Sequence, residues 1–399
     1  MKSRVAKVLH PIAGRPMLGY VLDLIRSLKI DRTVAVLGHQ HAEVGKLIPR
    51  TVKIAVQKKL LGTADALKAA LPILKGFKGT VLVLYGDIPL LKKETIDNLI
   101  NCHIKNNADA TLLSTQLDKP QGYGRVLRDK YASISAIREE KDADDFEKEI
   151  KEINTGIICF KADKLAGVLR QVKANNRKKE YYLTDIISIF YKGGGIVESV
   201  KLSDAGEAQG INSRADLARA NKIMHARINE EFMKGGVSII DPASTFISFG
   251  VRIGVDSIIY PFTVIEKDVR IGKSCQIGPF IHLREGTVIE DKVLAGNFVE
   301  VVRSRISGGT WLKHFGYIGD SRIGRSVNIG AGTVTANFDG KKKRLTIIKD
   351  MASIGSDTIL VAPVKIGKRA TTGAGSVVTK NQNVGDRVTV VGVPAKPIK

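Results

Sequence analysis

The chain has 399 residues, with Lys+Arg 63 against Asp+Glu 40 and a formal charge of +23 at pH 7. At ~100–200 residues per domain this length predicts two domains, each able to bury its own core. An apolar fraction of 43% with 6% aromatics excludes disorder as the main state, and no apolar run reaches the ~18 residues that cross a membrane.

Met1 to Lys7 is basic but lacks an apolar stretch of signal-peptide length. Cys102, Cys159 and Cys275 are far apart and form no metal spacing, so a reducing cytoplasm is expected. The charge raises nucleic acid as a partner, because Lys and Arg neutralise phosphates. The basic residues are spread along the chain, interleaved with acids and with few aromatics among them. The expectation is a basic protein with anionic small-molecule ligands, no nucleic acid and no membrane insertion.

The first ~200 residues alternate helix-like and strand-like segments. Leu18 to Leu28 has helical spacing, and Thr33 to Gly38 reads as a short buried strand. Ala64 to Leu74 is helical again, Thr80 to Asp87 is an apolar strand ending in an acid, and Thr95 to Asn106 follows as a helix. Strands apolar on both faces, alternating with helices, predict an α/β domain with a mainly parallel, Rossmann-like sheet. Ligands of such sheets sit beyond the carboxyl ends of strands, where Asp87 falls. Ser213 through Phe232 reads as one long amphipathic helix, opened by a capping Ser or Asn and closed by Gly235-Gly236.

Beyond it the period changes to six. Ile253, Ile259, Ile265, Ile271, Ile277, Leu283, Ile289 and Ala295 are spaced six apart, and the register returns at Ile323 and Ile329 and again at Ile354, Leu360, Ile366, Thr372, Val378 and Val384. Three such sides close one triangular coil, so a left-handed parallel β-helix of hexapeptide repeats is expected, with glycine releasing the corners. Gly is 39 of the residues and concentrates in this part. The register breaks between residues 297 and 350, most visibly at Asn337 to Arg344, and insertions in solenoids often carry function. The expected domains are 1–212, a linker helix over 213–236, and 237–399.

Taken singly, the candidate residues are ambiguous. Asp87 could hold Mg²⁺ or cap a turn. Leu61-Gly62-Thr63 could present N–H groups to a base or phosphate or simply open a helix. Gly122-Tyr123-Gly124-Arg125 is a loop with a cation. His314, near Tyr317 and Lys343 in the broken register, could be a general base, since imidazole suits that role near neutral pH, or a surface residue. Lys341 to Arg344 is a phosphate clamp or a solvated loop.

In order and spacing these stretches resemble the bacterial bifunctional N-acetylglucosamine-1-phosphate uridyltransferase / glucosamine-1-phosphate acetyltransferase family. The likeness rests on Lys7-Val8-Leu9-His10, Gln57, Leu61-Gly62-Thr63, Tyr85-Gly86-Asp87, Gly122-Tyr123-Gly124-Arg125, Glu152-Ile153-Asn154-Thr155-Gly156, Tyr181-Tyr182-Leu183-Thr184-Asp185, Gly210-Ile211-Asn212, Gly296-Asn297-Phe298-Val299-Glu300 and Asn328 to Thr333. It implies two reactions: acetyl transfer from acetyl-CoA to glucosamine-1-phosphate, then UMP transfer from UTP to N-acetylglucosamine-1-phosphate. By the resemblance His314 is the acetyl-transfer base; Arg284, Tyr317, Asn328 and Lys343 hold the sugar phosphate; Ala331, Asn337, Phe338, Ser356 and Ala374 line acetyl-CoA. In the other half Asp87 and Asn212 match Mg²⁺ ligands, and Gln57, Gly62 and Thr63 match uracil contacts. Gly124, Glu139 and Asn154 match sugar contacts, Tyr85 and Gly86 further substrate contacts, and Lys7 a phosphate contact. A cytoplasmic homotrimer is also implied.

Three departures stand out. The family opens with a buried strand and a loop of the form L-A-A-G-x-G-T-R-M, whose last Met aligns with Met1, so neighbouring strand edges are expected to be unpaired. A late start is the expected origin, with a degenerate nucleotidyl half as the alternative. Val302 stands where the family has a phosphate-binding Lys, with Arg303 beside it, and Gly392 replaces a CoA-contacting Arg. A non-enzymatic exchange-factor subunit, also built from a nucleotidyltransferase domain and a β-helix, is the remaining alternative.

Overall fold

The computed structural model describes residues 1–38 and 40–398. The chain forms two compact units, Met1–Pro11 with Pro16–Ala220, and Ile12–Arg15 with Asn221–Lys399.

The first unit is built from α1 (Met17–Ser27), β1 (Val34–Leu37), β2 (Lys53–Val56), α2 (Thr63–Leu74), β3 (Thr80–Val83), α3 (Lys93–Lys105), β4 (Ala110–Gln116), β5 (Arg125–Arg128), β6 (Ile134–Arg138), β7 (Glu152–Lys161), α4 (Ala162–Leu169), α5 (Asp185–Lys192) and β8 (Val197–Lys201). Each of the expected helices and strands is present, within a few residues of its expected ends. β3, β4 and β8 run one way, and β7 runs against β3 and β4 and joins them. Alternation along β7 divides the core. Ile158 and Phe160 pack with α2, α4 and α5 on one side of the sheet, and Ile157 and Cys159 pack with α1 and α3 on the other.

β1 pairs in parallel with β2. Among the described residues, β1 has no second partner and β3 pairs only with β7. Between their facing edges lies a cavity of about 580 Å³, floored by Val34, Val36, Val81 and Val83 and roofed by Leu67, Ala70 and Leu74 of α2. The unpaired edges expected from the sequence are therefore present.

α6 (Arg214–Lys234) opens with reciprocal bonds between Ser213 and Asp216, which satisfy free N–H groups at the helix start.

The second unit is the triangular β-helix. Among the described residues its strands form three parallel sheets, one per side, of ten, eight and seven strands, and only the last pairing of the ten-stranded sheet is antiparallel. Every aliphatic of the six-residue register points inward; Ile259, Ile265, Ile277, Leu283, Ile354, Leu360, Ile366 and Val378 are fully buried. The solenoid continues through the apparent break, because Val301, Ile306, Leu312 and Ile318 fill the same core. Coils there are one residue shorter: Arg252 pairs with Arg270, 18 residues on, but Arg305 pairs with Arg322, 17 residues on. The eight-residue excess at Asn337–Arg344 is expelled as a loop, so that Ser321 pairs with Thr346.

Glycine releases part of the corners, as expected: Gly250, Gly286, Gly309, Gly332 and Gly375 have φ of 82°, 81°, 69°, 74° and 68°. At other corners the same left-handed position is held by residues such as Asp256, Asp268 and Asp357, with φ of 62°, 62° and 56°. The glycine after the inward aliphatic serves close stacking instead: a Cβ on Gly330 would lie 2.5 Å from the Ser356 nitrogen of the next coil.

Candidate active sites

In the first unit the residues matched from sequence gather beyond the carboxyl end of β3. The Lys7 ammonium donates to both Asp87 Oδ2 and Asn212 Oδ1, and Ile211 N donates to the Asp87 carbonyl at 3.1 Å. Two hard oxygen donors thus share one cation-sized point, with the ammonium as stand-in ion, and this donor set fits Mg²⁺. The Tyr85 ring lies over Gly156, and burial, followed by the Glu139 and Asp87 carboxylates, pushes its hydroxyl up to about 12.

Gly62 is required by geometry. Its φ is +118°, and a Cβ there would lie 2.5 Å from the Tyr181 carbonyl oxygen. That closeness lets Ala64 N donate to Tyr181 O at 2.9 Å and Tyr181 N to Leu61 O at 2.7 Å, while Leu183 N donates to Thr63 Oγ1 at 3.0 Å. Gln57 Nε2 donates to Gly62 O at 3.1 Å and to Asp65 Oδ2 at 2.9 Å, and a cavity of about 500 Å³ opens beside Gln57.

The third cluster joins Gly124, Glu139 and Asn154. Asn154 N donates to Gly124 O at 2.8 Å, and Thr184 Oγ1 donates to Glu139 at 2.9 Å. Burial raises the Glu139 carboxyl above the usual carboxylate range despite that bond. Arg125, the cation of the Gly122–Arg125 loop, turns inward: it is 1% exposed and bonded to Glu140 at 2.8 Å. It is a core ion pair, closed to ligands.

In the second unit the coil register does the positioning. His314, Ala331, Ser356 and Ala374 each stand two residues after an inward side chain, Leu312, Ile329, Ile354 and Thr372 respectively. Those strands are successive rungs of the ten-stranded sheet. The four residues therefore form one row along the corner between the first and second faces, ~4.8 Å per coil. His314 is exposed.

The second face carries His282, Glu300 and Tyr317 on consecutive rungs. Arg284 reaches across to Glu300 at 2.8 Å. Tyr317 folds over Gly319, where its hydroxyl accepts from Asn337 Nδ2 at 3.4 Å.

Asn337 also donates to Asp320, which receives a two-pronged bond from Arg303, both contacts at 2.7 Å. The Arg303 guanidinium, then the Asn337 bond, hold the Asp320 carboxyl below its ordinary value against the opposing effect of burial. Sequence reasoning missed Asp320; nothing in its spacing marks it. An open cavity of about 360 Å³ beside this pair is lined by Arg303, Asp320, Lys343 and Arg344.

Val302 is 2% exposed and brings no cation; the outward charge at this turn is Arg303. Gly392 has a φ of +94°. Phe338 and Lys343 bridge the base of the inserted loop, and Phe338 is exposed. Asn328 faces out from the first face, between Trp311 and Ser353. The residues matched to the sugar phosphate are therefore divided between two faces and the loop.

A MobA-like NTP transferase domain matches residues 1–152. The chain is 41% identical to "Bifunctional protein GlmU" of Desulfitobacterium hafniense over 96% of its own length and 91% of the relative. It is 44% identical to the protein of that name in Thermosipho africanus (96% and 90% covered) and 42% to that in Geobacillus sp. strain WCH70 (95% and 90%).

Proposed function

The chain belongs to the bifunctional GlmU family, and from that premise we propose how its two halves divide the work. It is a bifunctional transferase: it acetylates glucosamine-1-phosphate with acetyl-CoA, and transfers UMP from UTP to N-acetylglucosamine-1-phosphate, giving UDP-N-acetylglucosamine and pyrophosphate. Residues 237–399 perform the first reaction and residues 1–212 the second, with 213–236 as the linker.

In acetyl transfer the sugar amine attacks the thioester carbonyl, His314 takes the amine proton, and CoA leaves as the thiol. The observation that carries this reading is the corner row. It sets His314 at one end of a line of small residues, Ala331, Ser356 and Ala374, along which an extended pantetheine can lie. Asn337 and Phe338 flank it from the loop, and Arg284, Tyr317, Asn328 and Lys343 hold the sugar phosphate. Division of these groups between faces supports a site completed by a neighbouring copy, hence a homotrimer. Phe262, Phe280 and Phe298 support the same reading: they stack at 4.7 and 4.8 Å and stay 55%, 43% and 65% exposed. Such an apolar patch favours cover by a partner.

In uridylyl transfer the sugar phosphate attacks the α-phosphorus of UTP and expels pyrophosphate. Gln57, Gly62 and Thr63 hold uracil; Gly124, Glu139 and Asn154 hold the sugar; Tyr85 and Gly86 wall the cleft. Lys7 meets phosphate. Asp87 and Asn212 hold Mg²⁺, which when bound offsets charge on the approaching phosphates. Three free thiols support a cytoplasmic setting.

The test is a paired assay on the purified chain with Mg²⁺: CoA release from glucosamine-1-phosphate and acetyl-CoA, and pyrophosphate release from N-acetylglucosamine-1-phosphate and UTP. His314→Ala is expected to lower CoA release by ~10²–10⁴ with pyrophosphate release and oligomeric state unchanged. Undiminished CoA release overturns the base assignment.

A further inference from the structure

The in-register stacking of the β-helix gives each of its three faces its own chemistry. Outward rungs of the first face are neutral: Ser238, Ile258, Gln276, Leu294, Trp311, Asn328, Ser353, Thr371 and Thr389 in turn. Those of the second are apolar apart from His282, Glu300 and Tyr317. The third face reads Arg252, Arg270, Val288, Arg305, Arg322, Ile347, Lys365.

Five of these seven rungs are cations, all exposed. Arg305 is paired with Glu290 at 2.6 Å. Among the described residues Arg252, Arg270, Arg322 and Lys365 form no ion pair. At ~4.8 Å per rung the row is ~29 Å long, straight and held by the sheet.

From this face we propose that the protein docks peripherally on an anionic lipid bilayer, arginine row toward the headgroups. Three features select this occupant. The charge is complementary, and cations close to an anionic surface each strengthen binding. A flat sheet face presents its row to a plane at once, with the two uncharged rungs, Val288 and Ile347, adding apolar contact. A second copy of the same face is excluded by like-charge repulsion. Single-stranded nucleic acid needs aromatic platforms for its bases, and none of the seven rungs is aromatic. Arg305 and Arg322 line the cavity beside Arg303 and Asp320, whereas Arg252, Arg270 and Lys365 belong neither to that lining nor to the site residues above, so substitutions at these three separate docking from turnover.

The experiment is co-sedimentation of the full chain with phosphatidylcholine vesicles, with and without phosphatidylglycerol, across a salt series. Binding is expected only to the anionic vesicles and is expected to weaken with salt. The triple substitution Arg252→Glu, Arg270→Glu, Lys365→Glu is expected to weaken it by at least ~100-fold, at about fivefold per cation, while CoA release in solution is unchanged. If that variant fails to fold, the Gln versions at the same three positions serve. Equal vesicle binding by the variant, or no binding at low salt, overturns the proposal. So does binding of duplex nucleic acid that depends on these three residues without vesicle binding.

Discussion

Gly62 shows how much one backbone angle can carry. Its φ of +118° and its approach to the Tyr181 carbonyl leave no room for a methyl group, yet this turn aligns Thr63 and fixes Gln57. Gly62→Ala is expected to destabilise the first unit by ~1–3 kcal/mol and to lower pyrophosphate release, measured by thermal unfolding alongside the uridylyl assay. Asp320 supplies a pH signature. Its carboxyl is held below the ordinary value in the fold, so the folded state binds fewer protons than the unfolded chain in acid. The stabilisation is therefore complete above about pH 4 and is lost as pH falls through the lowered value. Asp320→Asn is expected to lower the unfolding temperature at pH 7, with the gap to the parent narrowing in acid. Asp320 and Arg125 also mark what sequence hides at this scale. One is an acid made important by a guanidinium 17 positions away in the chain, the other a motif cation whose partner, Glu140, lies just past the end of β6. Neither pairing has a periodicity to betray it.

At the level of elements, period was the legible quantity. A repeat of six positions every inward aliphatic, because each side of the coil must bury one residue. It could not show that the coils near residue 300 drop one residue and stay in step, since backbone stacking tolerates a tighter corner that side-chain spacing does not announce. Corner conformation was legible only in part: glycine takes the left-handed turn at corners such as Gly250 and Gly375, Asp and Lys take it at others such as Asp256 and Lys292, and a second set of glycines serves contact between coils. The inserted loop is folded on Asp339, whose carboxylate accepts from the Lys341 and Lys342 amides at 3.0 and 2.7 Å and from Arg344 Nε at 2.7 Å. These bonds hold its carboxyl far below the ordinary value. Asp339→Ala is expected to loosen the loop bearing Asn337, Phe338 and Lys343. CoA release should fall several-fold, by about a hydrogen bond or two, while the unfolding temperature changes little.

Across the molecule, local stability is expected to be uneven. The β-helix pairs each strand with the coil before and after, whereas β1 and β3 present open edges to the cavity between them. Hydrogen exchange is expected to be slowest at the inner coils, such as Ile277 and Leu360, and fast at the cavity-facing amides of β1. Equal protection in both places would contradict the open-edge geometry. The triangular coil has a further consequence. A turn closed by its three inward side chains leaves each outward position free of the other two, so substitutions on one side do not disturb the packing of the rest. A lineage can therefore hold the catalytic corner constant while another side drifts in charge, and the gain or loss of a whole coil would alter the length of every row together without rewriting any of them.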